Sequence, residues 1–271
     1  MHAIARYVRL WLSLARFSLL AEMAFRGNFL VKVFVELLWL GILLLFNFTL
    51  FEYTRDIANW TQHQYLFFLG GYFAMGGLIE MLFLDNCNEF AELVRTGDLD
   101  FFLLRPVDEQ FLVSCRKIDW SCAPNVLLGA GVMGYALIGL GWHGPWYHLP
   151  LFVVMFALGV ALAYAFLLML TAASVWFMRN QSLMEMWWLF GTLMRYPREI
   201  FARTGWVSPI GVFFYWVIPI MLVTNVPASI MARNVLDPWI LLYTLLATAV
   251  VLWVSRRFFR AALQRYRSAS S

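Results

Sequence analysis

The chain has 271 residues, 62% of them hydrophobic and only 13% charged, with a mean hydropathy of +0.72 and a net charge of +4. Soluble domains carry roughly 25% charged residues, so a deficit of this size along most of the length excludes a water-soluble domain with one greasy helix and makes lipid the main solvent. The apolar runs are continuous rather than alternating, which argues against a β-barrel, and the 13 Trp and 25 Phe suit helices with aromatic belts at the bilayer interfaces. The basic residues are nearly all Arg and sit beside apolar segments, a pattern of membrane topology rather than of nucleic-acid binding.

In the first stretch, 1–26, Arg6, Arg9, Ser13 and Arg16 recur at steps of three and four, opposite Val8, Trp11, Leu12 and Leu19. This predicts an amphipathic helix lying on the membrane surface. It either anchors on anionic lipid or packs against a partner at that surface, since both faces share one pattern. The same arginines interrupt the apolar run and argue against a cleavable signal peptide.

A crossing needs about 20 apolar helical residues. Segments 29–51, 65–84, 120–140, 149–177 and 238–254 each supply them. The stretch 182–227 is apolar but interrupted by Arg195, Arg198, Glu199 and Arg203 and punctuated by Pro197, Pro209, Pro219 and Pro227. Positive charge is retained in the cytosol. That rule places inside the N-terminal arginines, the segment 85–118 with Arg95, Arg105, Arg116 and Lys117, and the basic tail 255–271. Two cytoplasmic ends demand an even number of crossings, and six is the smallest consistent count. The remaining passage, fifth in chain order, is either 206–226, which charge slightly prefers, or 182–201 with the remainder dipping into the outer leaflet.

Ionisable residues within the crossings are few. Glu36 is the deepest, with Lys32 one turn earlier as its expected partner, and Glu80 lies within about a turn of the inner interface. They read as structural, with gating or subunit contact as the alternative. The absence of a secure midplane acid weighs against a proton- or ion-coupled carrier or channel acting alone, the main competing class. Cys87, Cys115 and Cys122 fit no metal spacing and read as reduced packing residues. His143 and His148, among Trp142, Trp146 and Tyr147, read as interfacial rather than metal ligands. No Gly-Lys-Ser/Thr sequence occurs, so the chain does not hydrolyse ATP by a phosphate-binding loop; no cofactor or metal is expected. An enzyme of lipid chemistry would need a histidine beside Asp85, Glu89 and Glu92, and none is near in sequence.

The cytoplasmic segment is the most informative. Asp85, Glu89 and Glu92 share a helical face, and Gly97 supplies the left-handed residue that ends such a helix. Pro106 suits a first helical position, followed by Asp108 and Glu109 where the helix dipole favours acids. The expectation is an amphipathic helix, a turn, and a second helix running into the third crossing. Its apolar residues either tuck under the bundle or dock a partner.

The run Arg95-Thr96-Gly97-Asp98-Leu99-Asp100-Phe101-Phe102-Leu103-Leu104-Arg105-Pro106-Val107 resembles the signature of a branch of the type 2 ATP-binding-cassette exporter permeases. The stretches Leu193-Met194-Arg195-Tyr196-Pro197-Arg198-Glu199-Ile200-Phe201 and Phe214-Tyr215-Trp216-Val217-Ile218-Pro219 are similar to its later motifs. The resemblance implies an all-α polytopic membrane protein: one permease domain over 1–271 with about six transmembrane helices, an interfacial N-terminal helix, a cytoplasmic coupling loop, and outer re-entrant helices before the last crossing. It favours 182–201 as the fifth passage. It further implies a multi-pass protein of the cytoplasmic membrane, paired with a second permease and with a separate ATPase that binds ATP and Mg and drives export of a hydrophobic or amphipathic substrate. By the same resemblance, Glu89, Glu92, Arg95, Gly97, Asp98, Asp100, Leu103, Arg105 and Pro106 couple to that ATPase.

Overall fold

In the computed structural model, described for residues 2–177, 180–202, 209, 212–217 and 219–266, nearly every described residue is helical. A surface helix α1 (His2–Ala24) leads into α2 (Arg26–Tyr53), and a two-residue β-hairpin pairs Asp56–Ile57 with Trp60–Thr61. One continuous run follows: α3 (Gln62–Ile79), a π-helical turn (Glu80–Leu84) and α4 (Asp85–Thr96). Two short helices, α5 (Leu99–Leu103) and α6 (Glu109–Cys115), precede a 3-10 turn (Trp120–Cys122), α7 (Ala123–Gly139) and α8 (His148–Phe177). The later elements are α9 (Asn180–Met194), α10 (Arg198–Ala202), a π-helical turn (Phe213–Val217), a 3-10 turn (Pro219–Met221), α11 (Leu222–Arg233) and α12 (Pro238–Arg265).

Among the described residues, five runs are long and apolar enough to cross a bilayer: Arg26–Tyr53, Gln62–Thr96, Trp120–Gly139, His148–Val175 and Pro238–Arg265. They contain three of the segments predicted from hydropathy and coincide with the other two to within two residues at their ends. Their ends follow local chemistry. Thr61 and Gln64 form a capping box at the start of α3, and Asp237 accepts from the amides of Trp239 and Ile240 ahead of Pro238 at the start of α12. Helix α12 continues through Arg256, Arg257 and Arg260, so most of the expected basic tail is the last turns of the final crossing. Helix α1, the last turns of α12 and the segment between α4 and α7 gather at one face, the terminal face, because Asp108 meets Tyr7 of α1 and Arg256 of α12.

Packing is tightest where side chains are missing. A Cβ on Gly129 would lie 2.5 Å from the Ala74 nitrogen and 2.6 Å from the Gly70 oxygen, so α3 and α7 meet backbone to backbone. Helix α8 is the central post, with Leu162, Ala163, Leu167 and Leu168 buried, and α3, α9, α11 and α12 pack around it. By contrast α2 buries only Leu40 and Asn47, leaving Phe34, Trp39, Ile42 and Leu45 exposed.

The stretch 182–227 makes its passage in pieces. Phe190 of α9 stacks edge-on against Phe166, just past the middle of α8 toward the terminal face, at 4.7 Å between centroids. The chain then climbs past Met194, whose carbonyl accepts from Thr224 at 2.6 Å, and Glu199 of α10 reaches the hairpin at the opposite face through Trp60 Nε1, at 3.0 Å. Helix α11 begins at mid-depth, where a Cβ on Gly159 would stand 2.6 Å from the Val223 carbonyl, roughly 16 Å along α8 from its start. It ends at the opposite face, where Asn234 meets His148 at 3.1 Å. The run 182–201 thus leads from the terminal side to the opposite face, and α11 rises to that same face from mid-depth. The alternative, 206–226, falls partly outside the described residues.

Candidate functional site

Between the π-helical turn and α7 the chain builds a small polar cap on the terminal face. Helix α4 stops at Gly97, whose φ of 83° is the left-handed geometry predicted for it. The chain turns at once into α5, and Leu99 at the start of α5 is fully buried with Phe90, Val113, Leu168, Ala172 and Phe259. The next residues go the other way: Phe101 is 68% exposed, Leu104 82% and Leu103 36%, with Arg105 and Pro106 also exposed. Phe102 lies between two guanidinium groups, Arg105 at 5.0 Å and Arg116 at 4.9 Å from its ring centroid. The outcome is an exposed apolar edge beside a cation, held on a helix whose root is wedged between α8 and α12.

Several predicted site residues meet here, not all as expected. The acids of α4 do share a face, but bases of the same chain occupy it. Lys117 Nζ is 3.5 Å from both Asp85 and Glu89, Arg116 pairs with Glu89, and Asn86 clamps the Lys117 backbone with bonds of 2.7 and 2.9 Å. Helical phase put those acids together; only the fold brings 116–117 alongside. Glu92 and Arg95 form a solvent-exposed two-bond pair at 2.5 and 3.0 Å, and Asp98 accepts from Thr96 Oγ1 at 2.8 Å. Asp100 lies half-buried, its carbonyl capping α5 through the Leu104 amide.

Pro106 is not at a first helical position. It sits in the bend before α6, and Asp108 is the N-cap, accepting from the Phe111 amide at 3.2 Å; a side-chain acceptor satisfies an orphan donor that proline would merely lack. Nor does α6 run into the third crossing. The chain breaks at 116–122, and the Asp119 amide donates to the Met81 carbonyl, 2.9 Å away in the π-helical turn, where the wider winding shifts the usual helical pairing.

Lys32 pairs not with Glu36 but with the buried Asp119, at 3.0 Å, because the break at 116–122 delivers a better-placed acid than the next turn of its own helix. Burial alone would raise the Asp119 carboxyl, but hydrogen bonds from Ser121 and Lys32 outweigh it and hold it below its ordinary value. Glu36 and Glu80 line a separate cavity between the crossings. Arg6, Arg9 and Arg16 are exposed along α1. Its packing side, however, is Tyr7, Ala15, Ser18 and Glu22 rather than the plainly apolar one. Ser18 Oγ accepts from the Ile118 amide at 3.1 Å and Glu22 Oε1 from the Trp120 amide at 2.9 Å, while the Trp120 indole donates to the Ala15 carbonyl at 3.0 Å. Phe17 and Leu20 stay exposed. Burial pushes the Glu22 carboxyl above its ordinary value, against the Trp120 bond.

Sequence reasoning missed the lock on the opposite face. Glu199 accepts from Trp60 Nε1 and from Arg233 at 2.7 Å, and the Arg233 guanidinium lies 5.1 Å from the Trp60 ring centroid, so one carboxylate ties α10, the hairpin and α11. His148, expected at the interface, is buried there by its bond to Asn234. Glu199 is some 140 positions from Trp60, so only its unusual charge in an apolar stretch could have flagged it.

Membrane helices with a rigid cap rooted between two of them define a polytopic membrane protein with a built terminal-face contact surface. A family model described as ABC-2 family transporter protein matches residues 37–270, and the chain belongs to that family of transport permeases. The match includes the whole cap and leaves α1 outside. No curated protein and no solved structure matches the chain.

Proposed function

We propose that the chain is the membrane-spanning subunit of an ATP-driven exporter, set in the cytoplasmic membrane with the terminal face in the cytosol, where a separate ATPase subunit that binds ATP and Mg grips the cap. A second permease, a copy or a relative, completes the pathway, and the cargo is hydrophobic or amphipathic. The observation that carries this reading is the cap: Phe101 and Leu104 stand in solvent beside Arg105 on a helix whose neighbour Leu99 is wholly buried against α8 and α12. Exposed apolar side chains on a fixed root mark a contact surface. A load applied there passes to two long crossings without first bending a loop. Glu92, Arg95 and Asp98 supply the charged rim, Gly97 the turn, and Leu103, Arg105 and Pro106 the docking edge.

The supporting biochemistry is co-purification of the chain with its ATPase and stimulation of ATP turnover in the assembled complex. Arg105→Glu and Leu104→Ser, both at exposed positions, should leave the permease folded while weakening assembly and abolishing coupled transport. Unchanged transport in both variants, or transport by the purified chain without any ATPase, would reject the assignment.

A further inference from the structure

Between α2, α3, α7 and α9, on the membrane side of the cap, lies a cavity of about 390 Å3, within the size range of small-molecule sites. Its charged lining consists of Glu36 of α2, Glu80 at the start of the π-helical turn, and Arg195 just beyond α9. Among the described residues neither carboxylate has a hydrogen bond or an ion pair, and Arg195 has no acidic partner within 4 Å; its guanidinium instead leans over Tyr196. Two carboxyl groups thus face one guanidinium inside the membrane, where unpaired ionisable groups are costly and mark a binding or transport path.

Asn125 of α7, 3% exposed, also lines this cavity. The walls carry Trp39, Tyr72 and Trp188, whose ring faces attract cations. At Gly76 an added Cβ would meet nothing within 4 Å, so the space is open there.

These features select among ligands. An anion meets more acids than bases, a neutral amphiphile leaves the extra carboxyl without a counter-charge, and a bare metal ion finds too few oxygens in a space too wide to close around it. We propose that the cavity is a binding site for an aromatic organic monocation, with Glu36 and Glu80 as counter-charge and the aromatic walls facing the ring system. That such a cation is the exported cargo rests on the permease reading; that it binds does not.

The test uses the full chain, purified with its ATPase, and rhodamine 6G, a cationic dye with N–H groups, followed by fluorescence anisotropy. The wild type should bind it, 1-naphthylmethylammonium should displace it, and the neutral 1-naphthalenemethanol should do so at least tenfold less well. Glu36→Gln combined with Glu80→Gln, shown to co-purify normally with the ATPase, should weaken binding at least tenfold. Equal displacement by the alcohol, undiminished binding by the folded double variant, or no binding by the wild type would overturn the proposal. The first and last of these need no variant. ATP turnover by the same complex reports separately: turnover with no cation binding sinks only this site, whereas a chain that recruits no ATPase sinks the permease reading while leaving the binding result to stand or fall alone.

Discussion

Asp119 is buried, and its charge is balanced by Lys32 from a different helix. Removing Lys32 strands that carboxylate, and because the lysine is itself about half exposed the loss is moderated by solvent, so Lys32→Met should cost about 1–3 kcal/mol. Adding Asp119→Asn should recover part of it. Unfolding followed by intrinsic Trp fluorescence in detergent, run as a double-mutant cycle, measures the coupling. Glu22 has the opposite character. Its folded pKa is raised, so the folded state holds the proton more tightly, and stability is greatest below the ordinary carboxylate range and falls as pH rises through the folded value. Asp119, with a lowered folded pKa, stays ionised across that window and contributes no slope. Glu22→Gln keeps an acceptor for the Trp120 amide and should flatten the decline in melting temperature that the wild type is expected to show as pH rises above the ordinary carboxylate range.

The cap helices and the α3–α7 seam fail in distinguishable ways. Leu99→Ala empties a fully buried position and should cost about 2–4 kcal/mol, whereas Leu104→Ser at an exposed position should leave the unfolding transition within about 0.5 kcal/mol of wild type. Comparing the two against ATPase recruitment separates loss of the root from loss of the contact edge. In the seam, Gly129→Leu places carbon where the Gly70 and Ala74 backbone already lies, so the helices must part; a strongly lowered melting temperature is expected. Much of this element level was legible beforehand. The hydropathy segments, Gly97 as a helix end and the shared acidic face of α4 follow from composition and helical phase. The packing side of α1 did not, because Tyr7, Ala15, Ser18 and Glu22 serve as hydrogen-bonding and close-approach residues and carry little apolar signal.

Across the molecule, α1, the last turns of α12 and the cap share one face, and Glu199 and the His148–Asn234 bond close the other. In a background lacking Cys87, Cys115 and Cys122, a cysteine at Asp98 should react with an impermeant maleimide only after the cytosolic side is opened, and one at Trp146, 84% exposed at the opposite face, should react in intact cells. Labelling of Asp98→Cys from outside would invert the orientation. The sequence alone determined that the chain lives in lipid, where its continuous crossings run and which segment forms the cap, because these depend on composition and on phase within one helix. Only the tertiary structure decided what pairs with what: Lys32 with Asp119, the α4 acids with Arg116 and Lys117, Glu199 with Trp60 and Arg233, and Glu36 with Glu80 around one cavity. Partners so far apart along the chain leave no periodic trace, since their proximity is set by how helices cross rather than by how any one of them is wound.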